Sequence, residues 1–320
     1  MSKTKKRYVF KFINIFLIEC FMFIFPNNVI ITCYSISTVI NICLKKFYLN
    51  LENYFISHFN NKHIGDDGAL IGEYVYSKDA FFENIHYKKE WLSYYQIAKR
   101  AMLVNISDAI AMNAIPKYAL LSVAMPKSMS KKDMSELAEG FKEIAKQYSI
   151  EIIGGDTISN TKLDITITII SKTSRPLLRS MIRSGYVLGF TGELGRSAHA
   201  LKKLFNLGKI HKNSKFIDIQ LRQDFVQKSE RVLKAGMDIS DGLFSDLEKL
   251  TSLNKIGLKF FKPISKSIAC SGEEYEMLVA FDKRDMKAVK RKAAQSRTKI
   301  TFFAQAARNR YTNRCKAHHF

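Results

Sequence analysis

The sequence IGGDT at residues 153–157 continues a β-type stretch, IEI at residues 150–152, in which Glu151 is flanked by isoleucines. Paired glycines allow the backbone to approach a phosphate group closely. Asp156 is then expected at the end of a strand, which is where α/β proteins place their ligands. The segment therefore predicts an α/β protein in which Asp156 lies beside a phosphate-bearing ligand.

Three further segments set carboxylates beside glycine, serine or asparagine: IGDD at residues 64–67, VNISD at 104–108 and MDISDG at 237–242. Each is weak alone, since the first fits a tight turn and Ser240 or Asp241 fits a helix N-cap. Together they indicate a means of holding several Mg²⁺ ions, because Mg²⁺ prefers carboxylate and water oxygens and takes its remaining ligands from substrate phosphates. The pattern predicts a phosphoryl-transfer enzyme.

Composition limits the alternatives. The chain has 320 residues, of which 47% are hydrophobic, so it can bury the cores of two domains. The formal net charge of +22 suggests nucleic-acid or anionic-membrane binding. We favour a solvated basic surface instead, because the lysines are spread along the chain and the sequence contains no zinc-finger or RNP motif. The dense run from Lys283 to Lys299 is expected to be the exposed face of a helix.

The five cysteines form no CxxC pair and no Cys/His cluster with zinc spacing. This spacing predicts a reducing, cytoplasmic location. Residues 1–48 differ from the rest, because basic residues precede an apolar run from Phe12 to Phe25 and a second run spans Val29 to Leu44. The pattern resembles a signal peptide or anchor, yet each run is shorter than the roughly 20 residues that cross a bilayer. We interpret residues 1–48 as an appended, non-catalytic segment; a membrane-associating hairpin and a domain element are the alternatives.

Hydrophobic periodicity predicts how strands and helices alternate after residue 50. A helix is expected from Trp91 to Met112, with Asn105 and Asp108 on one face. A second helix is expected to begin at the N-cap Ser130 and to carry an apolar stripe that faces the core. Strands are predicted at residues 118–125, 150–153, 163–171 and 187–190.

In their order and spacing, the four acidic segments resemble the thiamine-monophosphate kinase family, of the aminoimidazole ribonucleotide synthetase-like superfamily. The resemblance covers residues 51–320. It implies a two-domain α/β (α+β) fold, with an ATP- and Mg²⁺-binding dimerisation domain at 49–172 and a second α/β domain at 173–320. It also implies a homodimer that transfers the γ-phosphate of ATP to thiamine monophosphate, which forms thiamine diphosphate.

The same resemblance implies roles for individual residues. The expected Mg²⁺ ligands are Asp67, Ser77, Asp79, Asp108, Asp156, Asp238 and Asp241. Nucleotide contacts are expected from Gly155, Asp156, Arg183 and Ser240, and substrate contacts from His86, Glu273 and Phe320. Among these residues the catalytic ones are Asp108, Asp156 and Arg183. Lys78 stands where the family usually has threonine. If that threonine binds metal through its side chain, the ligand is lost here, whereas a backbone carbonyl would remain.

The expected chemistry needs no nucleophile triad. A phosphate monoester has a second pKa near about 6, so the acceptor oxygen is largely ionised at neutral pH. What remains is to neutralise and align two polyanions, which metal ions and positioned cations do.

Two alternatives stay open. One is another ATP-using enzyme of the superfamily, although this chain lacks the reactive N-terminal Cys expected of selenophosphate synthetase and the C-terminal Cys expected of the hydrogenase-maturation relative. The other is a basic polyanion-binding protein on a degenerate enzyme scaffold. The retained carboxylates argue against it, because without metal they would repel one another.

Overall fold

The computed structural model describes residues 51–59 and 61–316. The chain is divided into two units at residue 60, and the second of them is Asn61–His319. Of the first unit the structure describes one helix, α1 (Leu51–Ile56). The expectation for residues 1–48 lies outside the described residues and stays a prediction. Within the described ranges, no helix is both long and apolar enough to cross a membrane.

The first sheet of the Asn61–His319 unit consists of β1 (Ala69–Ile71), β2 (Tyr74–Phe82), β3 (Ile115–Pro126), β4 (Glu151–Asn160) and β5 (Asp164–Lys172). Their order across the sheet is β1-β2-β5-β3-β4, and the β3–β4 pair is parallel while the other pairs are antiparallel. In β5, Ile165, Ile167 and Ile169 are buried and the alternate positions are partly exposed, which confirms the predicted half-buried strand.

Helix α2 (Tyr94–Ala111) packs on this sheet, and helix α3 (Lys131–Gln147) packs against α2. Helix α2 begins at Ser93, whose side chain and that of Gln96 form a capping box. Helix α3 begins at the predicted N-cap Ser130, which forms the same arrangement with Asp133. Most side chains of α2 are buried, because this helix contacts strands of the first sheet, helix α3 and residues of the second sheet.

The second sheet consists of β6 (Val187–Thr191), β7 (Leu233–Ile239), β8 (Gly257–Phe260), β9 (Glu276–Phe281) and β10 (Ile300–Ala307). Its order is β7-β9-β6-β10-β8, with all pairs antiparallel. The helices of this half are α4 (Arg196–Phe205), α5 (Gln223–Ser229), α6 (Leu243–Asn254), α7 (Lys266–Ala269) and α8 (Met286–Gln295). Helix α8 lies within the basic run, with Lys287 and Lys290 exposed as predicted.

A continuous apolar core joins the two sheets. It contains Ile97 and Ile106 of α2 together with Val187, Val279 and Phe281 of the second sheet. This packing fixes the last turn of α2 against the carboxyl end of β7. The predicted division at residue 172 falls in the connection between β5 and β6, and the two predicted domains stay a prediction.

The prediction that Asp156 ends a strand is wrong. Strand β4 runs from Glu151 to Asn160 and pairs with β3 along its whole length, so Asp156 lies inside it with an exposed side chain. Gly155 adopts a φ of 148°, and a Cβ there would lie 1.6 Å from the Leu121 carbonyl oxygen. The glycine thus permits close approach to the neighbouring strand rather than ending β4.

The structure also contains a disulfide that the cysteine spacing did not predict. Cys270 and Cys315 are bonded across 45 residues of sequence. The bond ties the segment after α7 to the segment after β10. Because the partners are far apart in sequence and belong to no CxxC motif, only the tertiary structure reveals the pair.

Candidate active site

Three predicted metal ligands come together where the two sheets meet. Asp67 precedes β1, Asp108 lies in the last turn of α2, and Asp238 lies near the end of β7. Their carboxylates each offer an oxygen within 4.8 Å of the others. The continuous core described above is what brings these elements together, and it places first-sheet and second-sheet carboxylates around one point.

Burial makes this cluster electrostatically unfavourable without a cation. It raises the pKa of Asp67, and it raises the pKa values of Asp108 and Asp238 well above the usual range, with neighbouring carboxylates adding to the effect. Burial and the nearby Glu273 and Asp67 charges raise the pKa of Asp79 to about 6. One oxygen of Asp67, Oδ2, is buried with no hydrogen-bond partner among the described residues. The donor set therefore fits a divalent cation with oxygen ligands.

Hydrogen bonds from neighbouring residues of α2 hold the predicted ligands Asp79 and Asp238 in place. The Asn105 side chain accepts from the backbone N–H of Asp79 at 2.7 Å and donates to the Ala101 carbonyl at 2.9 Å. The Ser107 hydroxyl donates to Asp238 at 2.7 Å. Asn105 thus lies on the side of α2 that faces the cluster, as predicted, and its hydrogen bond to Asp79 orients β2 toward the cluster.

Strand β2 presents alternate residues to opposite faces. Ser77 is buried and donates to the Asn105 carbonyl at 3.3 Å, and Asp79 is next on the same face. Lys78 is exposed on the other face, where its ammonium donates to Thr166 at 3.3 Å. The side chain at position 78 therefore points away from Asp79, and a backbone carbonyl is what this position can offer.

Arg179 forms an ion pair with the Asp67 carboxylate of the cluster. Its guanidinium lies 2.5 Å from Asp67, and its backbone N–H donates to Asp66 at 2.6 Å. The predicted nucleotide contact Arg183 lies four residues further on, and it is exposed. The sequence around them, RPLLRSMIRS at residues 175–184, offers three arginines and no spacing rule that selects one.

A second acidic pair lies beside Asp238. Lys249 of α6 lies 2.7 Å from Asp241 and 3.1 Å from Asp246. Burial raises the pKa of Asp246 to about 7, against the opposing effect of Lys249. Asp246 and Lys249 were missed in the sequence, because an Asp and a Lys three residues apart on a helix are usually an ordinary surface pair.

Two of the three predicted substrate residues are described, namely Glu273, which precedes β9, and His86, which follows β2. Glu273 receives a hydrogen bond from Arg100 at 2.7 Å, and its backbone N–H donates to the Ser240 carbonyl at 2.7 Å. His86 stacks on Phe81 at 5.6 Å and accepts from a backbone N–H through Nδ1. The last predicted substrate residue, Phe320, lies outside the described residues.

The remaining predicted ligand, Asp156, is not in the three-carboxylate cluster. It accepts from the backbone N–H of Thr157 at 2.9 Å on the exposed strand β4. Gly155 lies beside it in the same strand. A contact of either residue with nucleotide or metal stays a prediction.

The chain is similar in sequence to known proteins. Residues 65–173 match the family described as AIR synthase related protein, N-terminal domain. The chain is 32% identical over 266 residues to the thiamine-monophosphate kinase of Buchnera aphidicola subsp. Schizaphis graminum, covering 72% of this chain and 81% of that protein. It is 28% identical over 271 residues to the thiamine-monophosphate kinase of Bacillus subtilis, covering 74% and 83%.

A solved structure agrees in fold. AaThiL complexed with AMPPCP and TMP has a TM-score of 0.73 and 22% sequence identity to this chain, covering 83% of it and 93% of AaThiL. The paired sheets, the matched domain and these relatives define an enzyme of the AIR synthase related class. Within that class, the chain belongs to the thiamine-monophosphate kinase family. The resemblance and the mixed α/β fold class stated from the sequence are confirmed.

Proposed function

We propose that the chain transfers the γ-phosphoryl group of ATP directly to thiamine monophosphate, assisted by Mg²⁺. A new bond forms between an oxygen of the acceptor phosphate and the γ-phosphorus. The bond from the γ-phosphorus to the bridging oxygen breaks, and ADP leaves with that electron pair. The observation that carries the proposal is the buried cluster of Asp67, Asp108 and Asp238, with the unpartnered Asp67 oxygen. The AMPPCP and TMP bound by AaThiL support ATP and thiamine monophosphate as the substrates.

Asp67, Asp108 and Asp238 would hold Mg²⁺, with Asp79 beside them. The bound ion would neutralise phosphate charge and align the two substrates. The protein's own contribution is to fix these carboxylates, which the Asn105 and Ser107 hydrogen bonds do. No general base is required of them, because the acceptor phosphate is already largely ionised at neutral pH.

We assign the phosphate-facing cation to Arg179 in place of Arg183. A planar guanidinium suits phosphate oxygens, since it can donate two parallel hydrogen bonds. Arg179 is held at the cluster by Asp66 and Asp67. Arg183 is exposed, and its predicted contact is tested together with that of Arg179 below.

The substrate side is proposed to lie near Ser240 and Glu273. These two residues are tied by the bond between the Glu273 N–H and the Ser240 carbonyl, so a nucleotide contact and a substrate contact would be fixed relative to each other. The Glu273 carboxylate carries the sign that suits the cationic ring of thiamine. His86, and Phe320 beyond the described residues, complete the proposed substrate contacts.

The homodimer also remains a proposal, and the first sheet supports it. Strands β3 and β4 expose a set of large apolar side chains, namely Ile115, Tyr118, Leu120, Ile153 and Ile158. Contiguous exposed apolar surface of this kind commonly marks an interaction face. A second copy packing on this sheet would cover it.

The direct test is to incubate the protein with Mg²⁺, ATP and thiamine monophosphate and to identify the products by chromatography. We expect thiamine diphosphate and ADP in equal amounts. Another phosphorylated product, with thiamine monophosphate unchanged, would assign a different acceptor to the site.

A further inference from the structure

Lys249 inserts a fixed positive charge between two carboxylates that adjoin the proposed metal cluster. Its ammonium lies 2.7 Å from Asp241 Oδ2 and 3.1 Å from Asp246 Oδ1. Asp246 is fully buried, and neither of its oxygens has a well-formed hydrogen bond with any described residue. A buried carboxylate without such bonds is costly, so a cation is what this position requires.

We propose that Asp241 and Asp246 form a cation subsite beside the Asp67–Asp108–Asp238 cluster, and that the Lys249 ammonium is its permanent occupant in place of a divalent ion. The proposal rests on the metal-dependent function proposed above and adds to it. Asp241 is a Mg²⁺ ligand in the sequence-based prediction. Under this proposal its partner is the Lys249 ammonium. The proposal also means that part of the site's charge is neutralised at any Mg²⁺ concentration.

The geometry differs from that of an ordinary helical surface pair. Exposed ion pairs contribute little, because water screens them. Here Asp246 has no exposed side-chain surface, and the Lys249 side chain is only 38% exposed. Breaking a buried pair leaves an uncompensated charge, which is strongly destabilising.

An ammonium and a divalent ion exclude each other at this position. Mg²⁺ binds carboxylate oxygens at about 2.0–2.1 Å, and an ammonium nitrogen held 2.7 Å from Asp241 Oδ2 and 3.1 Å from Asp246 Oδ1 occupies the same space between them. Two cations crowded there would also repel each other. Removing the ammonium should therefore open the subsite to a metal ion.

The test counts Mn²⁺ ions bound per full-length chain, without ATP or thiamine monophosphate, by measuring free Mn²⁺ with electron paramagnetic resonance. Lys249→Met should bind one ion more than the wild type. Lys262→Met is the matched control, because it removes the same charge from an exposed lysine, and it should keep the wild-type count. Adding Asp246→Asn to Lys249→Met should remove the extra ion.

Equal counts for the wild type and Lys249→Met would overturn the proposal, as would an extra ion that persists in the double variant. If Lys249→Met does not fold, Lys249→Gln takes its place with the same expectation. On the unaltered chain, acylation of Lys249 read by peptide mass spectrometry should be equally slow with and without saturating Mn²⁺; acceleration by the metal would show that the ion displaces the lysine. Because no substrate is present, failure of the kinase assay leaves these outcomes unaffected.

Discussion

Arg100 and Glu273 form an ion pair that connects the two halves of the Asn61–His319 unit. Arg100 Nη2, on α2, lies 2.7 Å from Glu273 Oε2, which belongs to the segment before β9. The Arg100 side chain is fully buried, its guanidinium lies over the Phe216 ring at 4.2 Å, and it also donates to the Phe216 carbonyl. Glu273 has a φ of 60°, a backbone conformation that residues other than glycine rarely adopt. The pair therefore positions a proposed substrate residue.

Replacing Arg100 with methionine should lower the free energy of unfolding by about 1.5–3 kcal/mol, because it removes a charged hydrogen bond to a Glu273 side chain that is 26% exposed. Urea denaturation measures this loss. Arg100→Met/Glu273→Gln should be more stable than Arg100→Met, since it leaves no unpaired carboxylate. A loss below about 1 kcal/mol for Arg100→Met would place the pair among weak surface interactions.

The metal-free protein should lose stability at the acidic cluster as the pH rises. Asp79 has a pKa raised to about 6 against an ordinary value of 3.8, so the folded state binds its proton more tightly than the unfolded state does. The stability that protonation of Asp79 contributes is complete below about pH 4 and is lost as the pH rises through about 6. Asp79→Asn stays neutral, so its melting temperature should gain on that of the wild type across this window in EDTA. A constant difference between the two proteins would refute the shift.

Neutralising Asp108 should separate stability from metal binding. Asp108→Asn should fold with an unchanged or raised melting temperature in EDTA, because it relieves repulsion within a buried cluster. The rise in melting temperature on adding Mg²⁺ should shrink, and turnover should be mostly lost. Asp156→Asn is the comparison, because Asp156 is exposed and its metal-free stability should not change. Full Mg²⁺ stabilisation of Asp108→Asn would remove Asp108 from the ligand set.

Substitutions of Arg179 and Arg183 should differ strongly in their effects. Arg179→Met removes the partner of buried Asp67, so it should destabilise the metal-free protein and raise the KM for ATP about 10-fold or more, the effect of losing a charged hydrogen bond of about 1.5–3 kcal/mol. Arg183→Met changes an exposed side chain and should leave the metal-free stability and the KM for ATP nearly unaltered. Initial rates at varied ATP distinguish them. The reverse ranking would support the nucleotide contact first expected of Arg183.

Local patterns predicted much of the fold, because they report local physics. The isoleucine alternation in β5 and the Ser130 cap of α3 were read directly from residue spacing. The glycines at 154 and 155 follow the strand predicted at residues 150–153, so Asp156 was expected at its end, yet pairing with β3 carries β4 through them. That pairing is a long-range property which the local sequence does not contain.

The same distinction applies to the site. Asp67, Asp108 and Asp238 stood out because each lies in a distinctive short motif, and the structure brings these three together. Arg179 and Lys249 were missed, since basic residues are abundant in this chain and only burial sets these two apart. The bond between Cys270 and Cys315 was missed for a similar reason, because nothing near either cysteine marks its partner.

The most direct test of the central claim measures transfer to thiamine monophosphate with γ-labelled ATP, in the wild type and in Asp108→Asn. The wild type should place the label in the terminal phosphate of thiamine diphosphate, one equivalent for each ADP formed. EDTA or the Asp108→Asn substitution should abolish the transfer. Release of labelled inorganic phosphate without labelled thiamine diphosphate, from folded wild-type protein supplied with Mg²⁺, would contradict the account.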